Sequence, residues 1–199
     1  MSVGKLDQSC EVYCRADQLL YLDTQDDSYE LITASEDMKP WKIGIFFSGL
    51  ERNLASSKYN MRVDEVRSAA YALKAYAGME YGKFRQTFLR EVPYDVFLSF
   101  SDRLPETFRK RAQHFYSEQE RVEQGVQAWR KGDIDAFGDA IRRSGESSIN
   151  NWETGSEELK ALSEIILRQD GVYGARFSGA GFKGCCMALI DPDKAEDIE

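Results

Sequence analysis

Apolar residues change their spacing about fifty positions into the chain. Before that point short runs favour strands: Glu11–Arg15, Leu19–Asp23 and Tyr29–Thr33, separated by polar turns such as Thr24-Gln25-Asp26-Asp27. Trp41–Ser48 is a stronger strand, an apolar and partly β-branched run between Pro40 and Gly49. Beyond it the period becomes helical. Val63, Val66, Ala70, Leu73 and Ala77 predict an amphipathic helix over Ser57–Ala77, stopped at Gly78. A second long helix starts at Pro105 and carries Phe108, Ala112, Phe115, Val122, Val126 and Trp129 on one stripe, with Gln119 its one polar step, until Gly132. Asp133 caps a short helix with Ile134, Phe137 and Ile141 inward, ending near Gly145. Thr154-x-x-Glu157 has the form of a capping box ahead of Leu159, Leu162, Ile165 and Ile166. Two last strands, Val172–Ser178 and Cys185–Asp191, enclose a glycine-rich turn. The pattern predicts an α+β fold, an antiparallel sheet covered by several helices.

Composition narrows this only a little. A chain of 199 residues can bury one real core. The net charge of −8 argues against non-specific nucleic-acid binding. No apolar stretch approaches the roughly 20 residues a membrane helix requires, and MSVGKLDQSCEVY lacks the apolar centre of a signal peptide, so a cytoplasmic protein is expected. Cys10 and Cys14, and the vicinal Cys185 and Cys186, have neither zinc nor redox spacing; with His114 the only histidine, no metal site is expected. Both ends look cut. Met1–Asp7 has no element leading into it, and Asp191–Asp197 reads as the cap and first turn of a helix that is not completed. Missing flanks would leave apolar sheet exposed and favour association.

Gly179-Ala180-Gly181-Phe182-Lys183-Gly184 fits G-x-G-x-x-G, the dinucleotide-binding pattern, but its context excludes that reading. The fingerprint opens a helix and needs an acidic residue roughly 20 positions further on. Here a strand follows, so the glycines form a turn between strands, where positive φ and close backbone approach are available. Two other segments combine unusual residues: Gly4-Lys5-Leu6-Asp7-Gln8, with an acid just before an expected strand, and Ser57-Lys58-Tyr59-Asn60-Met61-Arg62 at a helix start. Read from the residues alone, these are turn formers, caps and packing groups.

Together the segments resemble one family. Gly4-x-Leu6-Asp7-Gln8, Phe47-Ser48-Gly49, Tyr59-Asn60-x-Arg62 and Gly174-Ala175-Arg176-Phe177-Ser178-Gly179-Ala180-Gly181-Phe182-x-Gly184-Cys185 are similar, in that order, to the galactokinase branch of the GHMP small-molecule kinases. Ser144-Gly145-x-Ser147-Ser148 and Glu157-Glu158-Leu159 fall where that family has a serine-bearing loop and a following helix. The turn, with Lys183 and the Cys185-Cys186 pair, is most like the plant-type galacturonokinases; galactokinases proper usually have glycine at positions 180 and 183.

The resemblance implies transfer of the γ-phosphoryl group of ATP, with Mg2+, to the anomeric hydroxyl of galacturonate or galactose. It assigns Asp7 to orienting or deprotonating that hydroxyl, Gly4 and Tyr59 to the sugar pocket, and Arg176, Ser178, Gly179, Ala180 and Gly181 to the family's third motif, near the phosphates. It also implies that residues 1–38 are a strip of the family's amino-terminal, ribosomal-S5-like domain and that 39–199 form its carboxy-terminal domain, incomplete at the end. The family's phosphate loop has no counterpart in this sequence, so a missing amino-terminal half and little activity of the chain alone are expected. A non-catalytic sugar-binding or regulatory module derived from such a kinase is the other reading. Lys183 hints at an acidic sugar.

Overall fold

Residues 4–50, 58–179, 181 and 184–198 are described by a computed structural model. The chain opens with α1, Leu6–Tyr13, followed by a hairpin of β1, Gln18–Leu22, and β2, Tyr29–Thr33. Its turn is closed by side chains, with Asp23 Oδ1 accepting from the Gln25 amide and Asp26 Oδ1 from the Ser28 amide. The expected strand at Glu11–Arg15 is not there, because those residues continue α1 into its C-cap. Leu6, Ser9, Cys10 and Tyr13 share a helical stripe, on which Ser9 is buried and Tyr13 stacks on Tyr29 at 4.4 Å. A five-residue alternation around Val12 cannot outweigh that longer period.

Next come β3, Lys42–Phe47, and α2, Lys58–Tyr76; the predicted start at Ser57 lies outside the described residues. Single helical turns and α3, Tyr94–Phe100, then lead into α4, Glu106–Lys131. Pro105 precedes α4 and Gly132, at φ +72°, ends it, as the sequence predicts. α5 runs over Ile134–Asn150, straight through the expected stop at Gly145, so the expected serine-bearing loop is helix. Asp133 caps it by accepting from the Ala136 amide. α6, Glu157–Leu167, is capped by Ser156 rather than Thr154; Thr154 is turned inward and donates to the Ser148 carbonyl at 3.2 Å. β4, Val172–Phe177, and β5, Cys185–Ile190, complete the sheet, and Pro192–Ile198 is a 3-10 run whose Ile198 is buried.

The sheet is antiparallel in the order β3-β5-β4. α6 covers one face, where Leu159 and Ile166 meet Ala175, Phe177, Cys186 and Ala188. α5 lies on the β4 end of the other face so closely that no side chain separates them. A Cβ on Gly138 would fall 2.2 Å from the Tyr173 carbonyl oxygen, and one on Gly174 would fall 2.0 Å from that of Gly138. Farther along this face Ile43, Ile45 and Phe47 alternate on β3 and stay exposed, Ile45 to 70%. A second cluster, built on Ala70, Leu73, Leu89, Phe97 and Ala112, joins α2 and α3 to α4. The hairpin is seated on α4 by Ile32, Val126 and Trp129, whose indole N–H donates to the Ile32 carbonyl at 3.0 Å. This is the predicted α+β arrangement.

Candidate active site

The glycine turn is closed from three sides. Its strands are pinned by the Ser178 amide donating to the Cys185 carbonyl at 2.9 Å. Ser48, at the end of β3, donates both its amide (2.9 Å) and its hydroxyl (2.6 Å) to the Gly184 carbonyl. The Ser156 amide donates to the Gly181 carbonyl at 2.8 Å. Gly179, Gly181 and Gly184 all have positive φ, +64°, +71° and +110°. Gly181 has no room for a side chain, since a Cβ there would lie 2.4 Å from the Phe177 ring and 2.9 Å from the Gly155 nitrogen. Among the described residues nothing lies within 4 Å of that position at Gly179 or Gly184, so none of them blocks the backbone there. Successive backbone N–H groups in such a turn suit an anion. Ala180, Phe182 and Lys183 lie outside the described residues.

Arg176 precedes the turn but points elsewhere. Its guanidinium donates to Ser144 and, at 3.3 Å, to Ser148 on α5, and lies 3.7 Å from Glu118 on α4. Ser144 donates in turn to Glu118, which also accepts from Arg121 at 2.7 Å. Gly145 makes room for this arrangement: a Cβ there would already be 3.0 Å from that of Arg176. Desolvation lowers the pKa of Arg176 from its ordinary value, with the Glu118 carboxylate opposing it.

Asp7 sits exposed in the first turn of α1 rather than ahead of a strand. Lys5 ties that end to the hairpin turn, donating to Asp27 at 2.5 Å and to the Thr24 carbonyl at 3.3 Å. Among the described residues no hydrogen bond or ion pair joins Gly4 or Asp7 to the glycine turn. Tyr59 lies in the first turn of α2; its side chain is outside the described residues. Two open grooves border the helices. One, of about 230 Å³, lies between Val66 and Trp152, and the other, of about 260 Å³, between β1 and Arg176; Glu118 and Val122 line both. His114 faces the first, 2.9 Å from the Ser147 hydroxyl and with its ring tilted at 41° against Trp152, 5.0 Å between centroids. Burial pushes its imidazole down to about 4, so it is neutral near pH 7. Burial likewise raises the Cys186 thiol to about 11, which leaves it inert.

Among the described residues no group of three or more His, Cys, Asp or Glu could hold a metal. No magnesium ligand set is assigned among them, and no step is routed through the ion. No described helix is long and apolar enough to cross a membrane.

Residues 126–199, from the last turns of α4 through the turn and β5, match the family model for the carboxy-terminal domain of GHMP kinases. The chain carries a GHMP kinase C-terminal domain. Around that GHMP domain the likeness extends over nearly the whole chain. It is 42% identical to the galacturonokinase of Arabidopsis thaliana over 97% of its length and 45% of the relative's. It is 32% identical to a galactokinase from a Roseiflexus species over 97% of its length and 47% of that enzyme's. The whole chain superposes on 49% of the galactokinase of Lactococcus lactis solved with galactose, at a TM-score of 0.85 and 30% identity. These relatives are sugar kinases, proteins that use ATP, and this chain spans about half their length. The expected family and fold are thus the observed ones.

The periodicity of the helices did not find Glu118, Ser144 or Arg111, the groups that tie α4 to α2, α5 and β4. Each occupies a polar position of an amphipathic helix, which pattern alone assigns to solvent.

Proposed function

We propose that the chain supplies the acceptor side and glycine turn of a sugar 1-kinase whose acceptor is galacturonate, with galactose as the neighbouring possibility. The observation that carries this reading is the build of the turn: positive-φ glycines fixed by Ser48, Ser156 and Cys185, with none of the described residues blocking the backbone at Gly179 and Gly184. The amide groups of such a backbone suit phosphate oxygens. The greater identity to a galacturonokinase than to the galactokinases named above supports the acidic sugar.

In this reading Asp7, at an exposed helix start, accepts the proton of the anomeric hydroxyl. The anomeric oxygen bonds to the γ-phosphorus of ATP as the bond from that phosphorus to the β–γ bridging oxygen breaks and ADP leaves. Gly4 and Tyr59 border the sugar, and Ser178, Gly179, Ala180 and Gly181 face the phosphates. Arg176 serves the same turn from behind by holding β4 to α4 and α5. Residues 1–38 belong in this scheme to the amino-terminal domain and 39–199 to the carboxy-terminal one. Magnesium accompanies the nucleotide and takes its ligands from the phosphates and from outside the described residues.

The test is ATP-dependent formation of sugar 1-phosphate from galacturonate and from galactose. It is measured for this chain and for the same chain joined to the amino-terminal half of a galacturonokinase. Turnover in the joined protein is expected, and Asp7→Asn should lower kcat by about 10²–10⁴-fold. No product from either sugar, or an unchanged rate in Asp7→Asn, rejects the assignment.

A further inference from the structure

Arg111 is the largest fully buried side chain among the described residues, with 0% of its surface exposed, and it sits on α4 away from both the turn and α1. A buried guanidinium must satisfy its donors or destabilise the fold. Its Nε donates to Glu65 on α2 at 2.6 Å, one Nη to Glu153 at 2.8 Å, and the other to the Asn151 carbonyl. One planar fork thereby grips two separate parts of the chain.

Both parts lead to residues of the proposed site. On α2, Glu65 also receives Arg62 at 2.9 and 3.0 Å, one helical turn beyond Tyr59. On the other side Glu153 begins the short link to the glycine turn, with Gly155 packed on the Phe177 ring and the Ser156 amide donating to Gly181. Glu153 is a non-glycine residue at φ +54°, a conformation that costs energy unless its surroundings hold it. Those surroundings are cationic: Arg111 and Lys110 take the carboxylate, and Arg62 donates to the carbonyl at 3.2 Å. Thr154 is fixed separately to α5 through Ser148, so among the described residues α2 reaches this link at Glu153, through Arg111 and directly through Arg62. The Arg111 and Lys110 charges hold the Glu153 carboxyl down to about 2, which keeps the clamp closed at every ordinary pH.

We infer that Arg111 is a positioning residue that sets the glycine turn relative to the Tyr59 end of α2. This rests on the reading of both segments as parts of one kinase site, whereas the physical coupling stands or falls without any turnover. Arg111 touches neither substrate; it acts through Glu65 and Glu153.

The experiment is amide exchange on the 15N-labelled chain, reading Ser156 and Gly181 at the link and Ala188 in the core of β5. In Glu65→Gln, exchange at Ser156 should rise about ten- to hundredfold, the effect of losing a charged hydrogen bond, and the Gly181 resonance should shift. Ala188 should stay within about twofold, which separates local release from global unfolding. Arg111→Lys keeps the charge but cannot span both carboxylates, so it should release Ser156 as Glu65→Gln does. Should Arg111→Met fail to fold, Glu65→Gln still decides the question. Unchanged Ser156 exchange in Glu65→Gln, or full protection restored by Arg111→Lys, overturns the inference. A negative kinase assay alongside released Ser156 would reject the function and leave the coupling intact.

Discussion

Replacing Gly138 by alanine tests the contact between α5 and β4 directly. The added methyl carbon would lie 2.2 Å from the Tyr173 carbonyl oxygen and 2.4 Å from its carbonyl carbon, where ordinary carbon contacts are about 3.5–4 Å. Neither obstacle is a side chain that can rotate away. The helix must retreat by more than about 1 Å, which also loosens Gly145 against Arg176. Overpacking of this kind costs about 1–3 kcal/mol and at a rigid backbone sometimes more, while alanine in a helix gains about 1 kcal/mol over glycine. A net loss of about 2 kcal/mol follows, equivalent to a fall of roughly 4–8 °C in Tm for a chain of this size. Gly125 on α4 is the control. A methyl there meets only the Phe137 ring at 3.5 Å, so Gly125→Ala should be neutral or gain up to about 1 kcal/mol. Urea unfolding followed by far-UV circular dichroism measures both variants. Equal stability of the two would refute the argument from contact distance.

Two further outcomes follow from the same geometry. His114 has a folded pKa of about 4 against 6.5 unfolded, so the unfolded chain binds the extra proton and stability falls as pH drops from about 6.5 to 4. That loss, on the order of 3 kcal/mol, should vanish in His114→Gln; denaturant titrations at a series of pH values read it, and an unchanged acid limb would contradict burial as the cause. Gly181→Ala must push aside Phe177 and the Gly155 backbone and should lower Tm clearly, whereas Gly179→Ala meets none of the described residues within 4 Å and should bear only the left-handed backbone cost of about 1–2 kcal/mol. Equal melting of these two alanine variants would show that the turn is not packed as described.

Much of this fold was legible because its boundaries coincide with residues that have few alternatives. Pro105 and Gly132 delimit α4, and β2 matches its predicted span residue for residue. The glycine turn was legible for the same reason, since positive φ at three positions leaves little choice but glycine. Errors arose where a local rule met a tertiary need. Gly145 looks like a helix stop, yet it lies mid-helix because Arg176 needs the space. Glu11–Arg15 alternates too briefly to resist the helical stripe that begins at Leu6. α3 and the turns around it are too short to carry a period. Arg111 was invisible for a deeper reason: nothing in a charged residue among other charged residues says that it will be enclosed. Only the meeting of α2, α4 and the 151–153 segment encloses it, and that meeting is a property of the whole chain.

The pair of hydrogen bonds from Ser48 to the Gly184 carbonyl bears on how this scaffold can be altered. It fastens the exit of β3 to the glycine turn, while the start of α2 is fastened through Arg62 and Glu65 to Arg111. The connection from Gly49 to Lys58 therefore begins and ends at anchored points beside the proposed site. A change at β3 is therefore felt at the turn: Ser48→Ala removes one of the two bonds that fix the Gly184 carbonyl and leaves the exit of β3 held by the Ser48 amide alone.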